Sequence, residues 1–287
     1  MKRLFTFLLG MFAFSQLIFA QENHTPPHDD DVIKLLAIGN SFSEDGIENY
    51  LHELAAATNK KMIIGNLYIA GASLELHVKN INKDASTYNY RKISLDGKKT
   101  VTKDVSIATA LAEENWDYIS FQQASPMSGK YDVISKSLPE LVDYVRKRVS
   151  PQTQFVYHQT WAYQQDSKHD GFKHYNQNQL TMFNGIVDAA KKVWKTGYFT
   201  YIIPAGTAVQ NARTSSIGDN YTRDGYHLQL DYGRFTAACT WYEKLFKEDV
   251  RKNPYKPEKV TDLQAKIAKQ AAHKACKKPY KISKIKL

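Results

Sequence analysis

Val32-Ile33-Lys34-Leu35-Leu36-Ala37-Ile38-Gly39-Asn40-Ser41-Phe42-Ser43-Glu44 is the stretch on which the reading of this chain turns. A nearly apolar run that stops at a glycine is the pattern of a strand buried on both faces of a parallel sheet. Ile47, Leu51, Leu54 and Ala55 then recur at helical spacing, and residues 62–69 read as a second strand that closes at Gly71. The chain therefore opens as a βαβ unit. Residues 87–104 alternate around Asp96-Gly97, a hairpin-turn dipeptide, which places a β-hairpin insertion in the crossover. Strands at 117–121, 154–157 and 198–203 follow, alternating with helices at 134–149, 179–193 and 232–248. Five strands alternating with helices imply an α/β fold, a parallel sheet covered on both faces, with ligands bound beyond the strand C-termini.

Composition narrows the classes. With 43% hydrophobic residues, 14 Gly, 9 Pro and 2 Cys, the chain of 287 residues is neither disordered, nor low-complexity, nor a disulfide scaffold. Lys2 and Arg3, an apolar run over residues 4–19, and Ala20 before a polar switch read as a cleaved secretory signal, 1–20. The run is shorter than the roughly 20 apolar residues a spanning helix needs, and no cysteine near the junction offers a lipid attachment point. The expectation is a secreted or periplasmic protein, with no stable membrane insertion after cleavage and a flexible leader at 21–31. The formal net charge is +10, yet residues 251–287 hold twelve Lys or Arg against Glu258 and Asp262, so residues 21–250 net to −2. A near-neutral body, 32–250, gives no warrant for a nucleic-acid partner. The basic tail, 251–287, carries Val260, Leu263, Ile267 and Ala271 at helical spacing, a helix lying on the domain with its lysines in water.

Two junctions carry nucleophile chemistry. Ser41 falls at a helix N-terminus, where free N–H groups and the helix dipole favour negative charge. Ser41 and Glu44 also satisfy a Ser-x-x-Glu capping box, so a helix cap and a nucleophile both fit. Ahead of the last body helix, Asp224-Gly225-Tyr226-His227-Leu228 places an Asp three residues before a His, close enough to orient its ring, though an ordinary surface turn fits as well.

Together, Gly39-Asn40-Ser41 after the first strand, Gly71 after the second, a polar amide after the third and Asp224-Gly225-Tyr226-His227-Leu228 resemble the blocks of the SGNH (GDSL-type) hydrolases, including their carbohydrate-esterase branches, over residues 33–247. The resemblance implies a three-layer α/β/α sandwich with a flavodoxin-like five-stranded parallel sheet. It also implies Ser41, Asp224 and His227 as a catalytic triad, and the Ser41 and Gly71 N–H groups with a side-chain amide as an oxyanion hole. Where the family has Gly-x-Asn, this chain has Phe121-Gln122-Gln123, so Gln122, or Gln123 beside it, takes the amide's place.

The segments after the fourth and fifth strands add Trp161, Tyr163, Gln210, Asn211 and Arg213, aromatic, amide and guanidinium groups that suit a sugar or, for the aromatics, simple core packing. The expected function is an exported carbohydrate O-acetylesterase acting on an acetylated polysaccharide. A lipase or thioesterase on longer acyl chains and an inactive glycan-binding domain are the alternatives. No metal or cofactor is expected: His158, His169 and His174 with Asp166 and Asp170 match no common zinc spacing, and no GxGxxG or GxxxxGK[ST] run occurs. Cys239 and Cys276 fit either a disulfide or two free thiols, and nothing in the sequence sets the oligomeric state.

Overall fold

Along β1 (Val32–Gly39), Leu35 and Ala37 enter one apolar cluster while Leu36 and Ile38 enter another. Alternate side chains of a strand point to opposite faces, so this strand is buried on both. The computed structural model describes residues 31–287; the expected signal at 1–20 and all of the leader except Asp31 lie outside the described residues. After β1 come α1 (Ser41–Ile47), α2 (Leu51–Ala56), β2 (Lys61–Tyr68), α3 (Leu74–Asn82), β3 (Tyr88–Ile93), β4 (Lys99–Val105) and α4 (Ile107–Glu113). The chain continues through β5 (Tyr118–Phe121), α5 (Tyr131–Arg146), β6 (Gln154–His158), α6 (Gln179–Trp194), β7 (Tyr201–Ile203), α7 (Ala205–Ala212), α8 (Tyr232–Phe246) and α9 (Asp262–Lys277). Among the described residues, no helix is long and apolar enough to cross a membrane.

The sheet has seven strands in the order β4-β3-β2-β1-β5-β6-β7. Its five parallel strands are those expected, arranged β2-β1-β5-β6-β7. The hairpin is a continuation of the sheet, because β3 pairs antiparallel with β2 and buries Tyr88, Tyr90 and Ile93. β4, rich in Lys and Thr and exposed along nearly its whole length, makes a solvated edge that discourages further pairing. Helices cover both faces, giving an α/β/α sandwich. Strand order reverses direction at β1, which opens a crevice above the C-terminal ends of β1, β2 and β5, the usual ligand position in such sheets.

One segment differs from expectation. Residues 205–212, read from sequence as a ligand-facing segment after the fifth strand, form α7, buried along its entire length. The basic tail forms the expected helix on the domain: α9 sends Ala265, Ala268 and Ala272 into one cluster and Ile267 and Ala271 into another, and of the four expected apolar contacts only Leu263 stays half-exposed. Its many alanines let α9 approach α7 and α8 closely, and a Thr261–Gln264 capping box fixes its start. Cys239 and Cys276 are both free thiols.

Candidate active site

Helix α1 is capped one residue earlier than its Ser-x-x-Glu pattern suggests. Asn40 is the N-cap: its Oδ1 accepts the Phe42 N–H at 2.9 Å, and Ser43 Oγ accepts the Asn40 N–H at 3.0 Å. Gly39 permits this, since a Cβ there would overlap the Ser43 side chain. Glu44, released from capping, pairs with Arg91 at 2.9 Å. The consequence is chemical. With the cap formed by its neighbours, the Ser41 hydroxyl is free to face elsewhere, and it lies 2.8 Å from His227 Nε2.

His227 is held by its own loop. Asp224 Oδ1 accepts the backbone N–H groups of His227 at 2.8 Å and Tyr226 at 3.2 Å, and Oδ2 stands 2.7 Å from His227 Nδ1. An ionised carboxylate only accepts, so the ring proton sits on Nδ1 and Nε2 is the acceptor for Ser41. Partial burial opposes ionisation of Asp224, but hydrogen bonds from the His227 ring and backbone and from the Tyr226 backbone outweigh it and hold the carboxyl below its ordinary range. The structure thus brings Ser41, His227 and Asp224 into one hydrogen-bonded line.

A residue that sequence reasoning missed docks this loop. Asp45, fully buried in α1, accepts from Leu228 N at 2.8 Å, from Arg234 Nε at 2.8 Å and from Arg223 at 3.1 Å. A buried carboxylate needs such compensation, and here its partners flank His227. No periodicity singled it out, since its neighbours at helical spacing are Ser41, Phe42, Glu48 and Asn49.

Across the cleft, Gly71 has φ +66°, and no atom lies within 4 Å of where its Cβ would be. A side chain would be strained in this left-handed conformation, and the open space exposes the backbone there. The Ser41 N–H belongs to the first turn of α1, which has no intrahelical acceptors. Gln122 stands apart from this pair. Its Nε2 donates to Asn40 Oδ1 at 2.7 Å and its Oε1 accepts from His158 Nδ1 at 2.8 Å, so its amide is engaged inside the protein rather than offered to the cleft. Asn40 Nδ2 in turn donates to Ala72 O at 2.9 Å, which ties the Gly71 segment to the start of α1. Gln123 Oε1 accepts from Leu74 N and Ala124 N.

The cleft at Ser41 has a volume of about 280 Å³ and is walled by Tyr68, Gly71, Pro126, His169, Tyr226 and His227, among others. The five residues expected to touch a sugar are not in its wall. Trp161 and Tyr163 are fully buried: Trp161 stacks on Phe42 at 4.4 Å and donates to Tyr226 O, and Tyr163 bonds Ser125 Oγ. Gln210 bonds Gln179, Asn211 bonds Ala271 O, and Arg213 pairs with Asp219, all in the interior beside α7. These groups lie on a helix that needed internal partners, and burial alone pushes Arg213 down to about 10 against the pull of Asp219. Phe42, Tyr68, His169 and Tyr226 are the aromatic groups in the cleft wall beside His227 instead.

Among the described residues, one set with the geometry to ligate a metal occurs, Glu243, Asp249 and His273. It is already satisfied as an ion-pair knot. His273 Nδ1 bonds Glu243 at 2.9 Å, Arg251 chelates Asp249, and Glu243 accepts Val250 N. The knot fastens α9 to α8 and includes no residue of the Ser41 cleft.

A search of curated proteins returns no match. The crystal structure of a DUF4886 family protein from Bacteroides uniformis is 55% identical, with a TM-score of 0.88, over 89% of this chain and 98% of that one. More remote are a protein from Slackia heliotrinireducens proposed to be an SGNH hydrolase, 18% identical at a TM-score of 0.48 over 74% of this chain and 98% of that one, and TesA, 11% identical at 0.45 over 76% and 98%. The model of DUF4886, a domain of unknown function, matches residues 34–275, and the chain belongs to the DUF4886 family.

Proposed function

We propose that the protein is a serine esterase of SGNH type that removes a short acyl group, acetyl, from a carbohydrate. The observation that carries this reading is the line Ser41 Oγ, His227, Asp224 with distances of 2.8 and 2.7 Å, facing Gly71 across one cleft. His227 Nε2 takes the Ser41 proton as Oγ attacks the ester carbonyl. The oxyanion that forms is met by the Ser41 and Gly71 N–H groups at the positive end of α1. His227 then gives its proton to the leaving alkoxide as the ester C–O bond breaks, and water repeats the sequence to free the acid.

The size and wall of the cleft support the short acyl group. At about 280 Å³ it is small for a ligand site, and Ala70, Ala124 and Pro126 are its aliphatic members, too few for the extended groove a long chain requires. The flat ring of Tyr226 supports a carbohydrate as the alcohol. The reading includes export, on the strength of residues 1–20. Acetate release from a panel of acetylated glycans, together with p-nitrophenyl esters of rising chain length, tests it. Wild type should prefer acetyl esters, and Ser41→Ala should lose at least about 10³ in kcat. Equal hydrolysis by both proteins would overturn the mechanism, and a preference for long chains would favour a lipase or thioesterase.

A further inference from the structure

His169 lines the Ser41 cleft without belonging to the triad. It precedes the 3₁₀ turn Asp170–Tyr175 and caps it, its Nδ1 accepting the Gly171 N–H at 2.9 Å. A nitrogen that accepts in a neutral imidazole leaves the proton on the other, so Nε2 is a donor. Burial lowers the affinity of this ring for a second proton, as does neighbouring His227, against the pull of Asp170 and Asp224. The ring is also held in place. Its centroid lies 4.9 Å from that of Tyr163 and 4.6 Å from that of Tyr226, and Tyr226 lies 4.1 Å from His227. Among the described residues, Nε2 makes no hydrogen bond. The cleft wall therefore includes a fixed ring whose Nε2–H has no partner within the described residues, one aromatic ring removed from the group that protonates the leaving alcohol.

We propose that His169 is a specificity-determining residue, its Nε2–H donating to an oxygen of the alcohol moiety next to the scissile ester. This selects esters of polyhydroxylic alcohols over simple ones, and it rests on the esterase reading above. The direction follows from proton transfer: the leaving oxygen must lie against His227, so the rest of the alcohol extends over Tyr226 toward His169. A simple ester has no second oxygen to place there.

Two substitutions separate this role from the cap. His169→Asn keeps an acceptor where Nδ1 stood, and Asn is a favoured cap, but it removes the donor. His169→Gln keeps a donor at the reach of Nε2 and removes the cap. The substrates are a monoacetylated methyl glycoside and phenyl acetate, whose leaving group has no second oxygen, with Ser41→Ala as the reference. His169→Asn should lower the ratio of kcat/KM on the glycoside to that on phenyl acetate about tenfold, the worth of one hydrogen bond. His169→Gln should recover most of the glycoside activity. The proposal is overturned if His169→Asn equals wild type on the glycoside, if it loses the same factor on both substrates, or if His169→Gln is the poorer of the two. Failure of the esterase reading looks different: wild type and Ser41→Ala would then hydrolyse phenyl acetate alike, and the proposal would fall with it.

Discussion

Asp45 accepts the Leu228 N–H at 2.8 Å, which couples the helix that begins at Ser41 to the residue directly after His227. The same carboxylate, with no exposed surface, bonds Arg223 and Arg234. The distance between Ser41 and His227 is thus set by a buried ion network rather than by the two side chains alone. Removing one member leaves uncompensated charge, and Asp45→Ala should cost about 3 kcal/mol in denaturant unfolding. It should also lower kcat by tenfold or more with KM changed less, because the loop bearing His227 loses its anchor. Normal kcat in folded Asp45→Ala would show that the loop is held without it.

Gln122 and Gln123 are separable by stability and rate measured together. Gln122 bridges His158 and Asn40, so Gln122→Ala orphans two buried groups and should cost about 1–3 kcal/mol. Its loss of kcat should come with that lowered stability, since Asn40 is freed to turn away from Ala72. A pure oxyanion donor would behave otherwise, losing on the order of 10²–10³ in kcat at unchanged stability. Such a pattern in Gln123→Ala, measured beside it, would assign the amide to Gln123.

Two buried histidines predict how acid affects the fold. Burial lowers His77 and His158 to about 3, so both are neutral in the folded protein. The unfolded chain binds a proton at each near pH 6.5, so the unfolded state holds more protons between about pH 6.5 and 3, and stability falls as pH falls through that window. Each contributes a slope of up to about 1.4 kcal/mol per pH unit. Urea unfolding between pH 7 and 4.5 should show the decline, and His77→Phe should remove one increment of it. His77→Phe leaves Tyr88 with Asn80 as its partner. An unchanged slope would mean that the His77 ring is charged in the folded state.

The tail offers a contrast within one helix. Ile267 has no exposed surface, whereas Leu263 is 48% exposed. Ile267→Ala should cost about 3 kcal/mol, while Leu263→Ala should stay within about 0.5 kcal/mol. Equal small losses in thermal or urea unfolding would make α9 a loose attachment.

Most of the sheet was legible because its strands are buried on both faces and announce themselves as apolar runs, as β1, β2 and β6 do. Helix α7 was not, since Pro204-Ala205-Gly206 offers no polar cap and sets a proline and a glycine at its start, the punctuation of a turn. Its Gln210, Asn211 and neighbouring Arg213 resembled ligand-binding groups for the same reason. Polar side chains beside a strand end look alike in sequence whether they meet a ligand or each other.

Local chemistry carried in the chain determined the order of strands and helices, the short Asp224–His227 spacing and the glycine-marked ends of β1 and β2, because each depends on neighbours a few residues apart. Tertiary structure alone decided the rest. It moved the helix cap from Ser41 to Asn40, drew Gln122 into the interior, buried Trp161 and Tyr163, and put His169 at the cleft. Ser41 and His227 are 186 positions apart, and which polar group faces the cleft depends on which partners the interior has already supplied to the others.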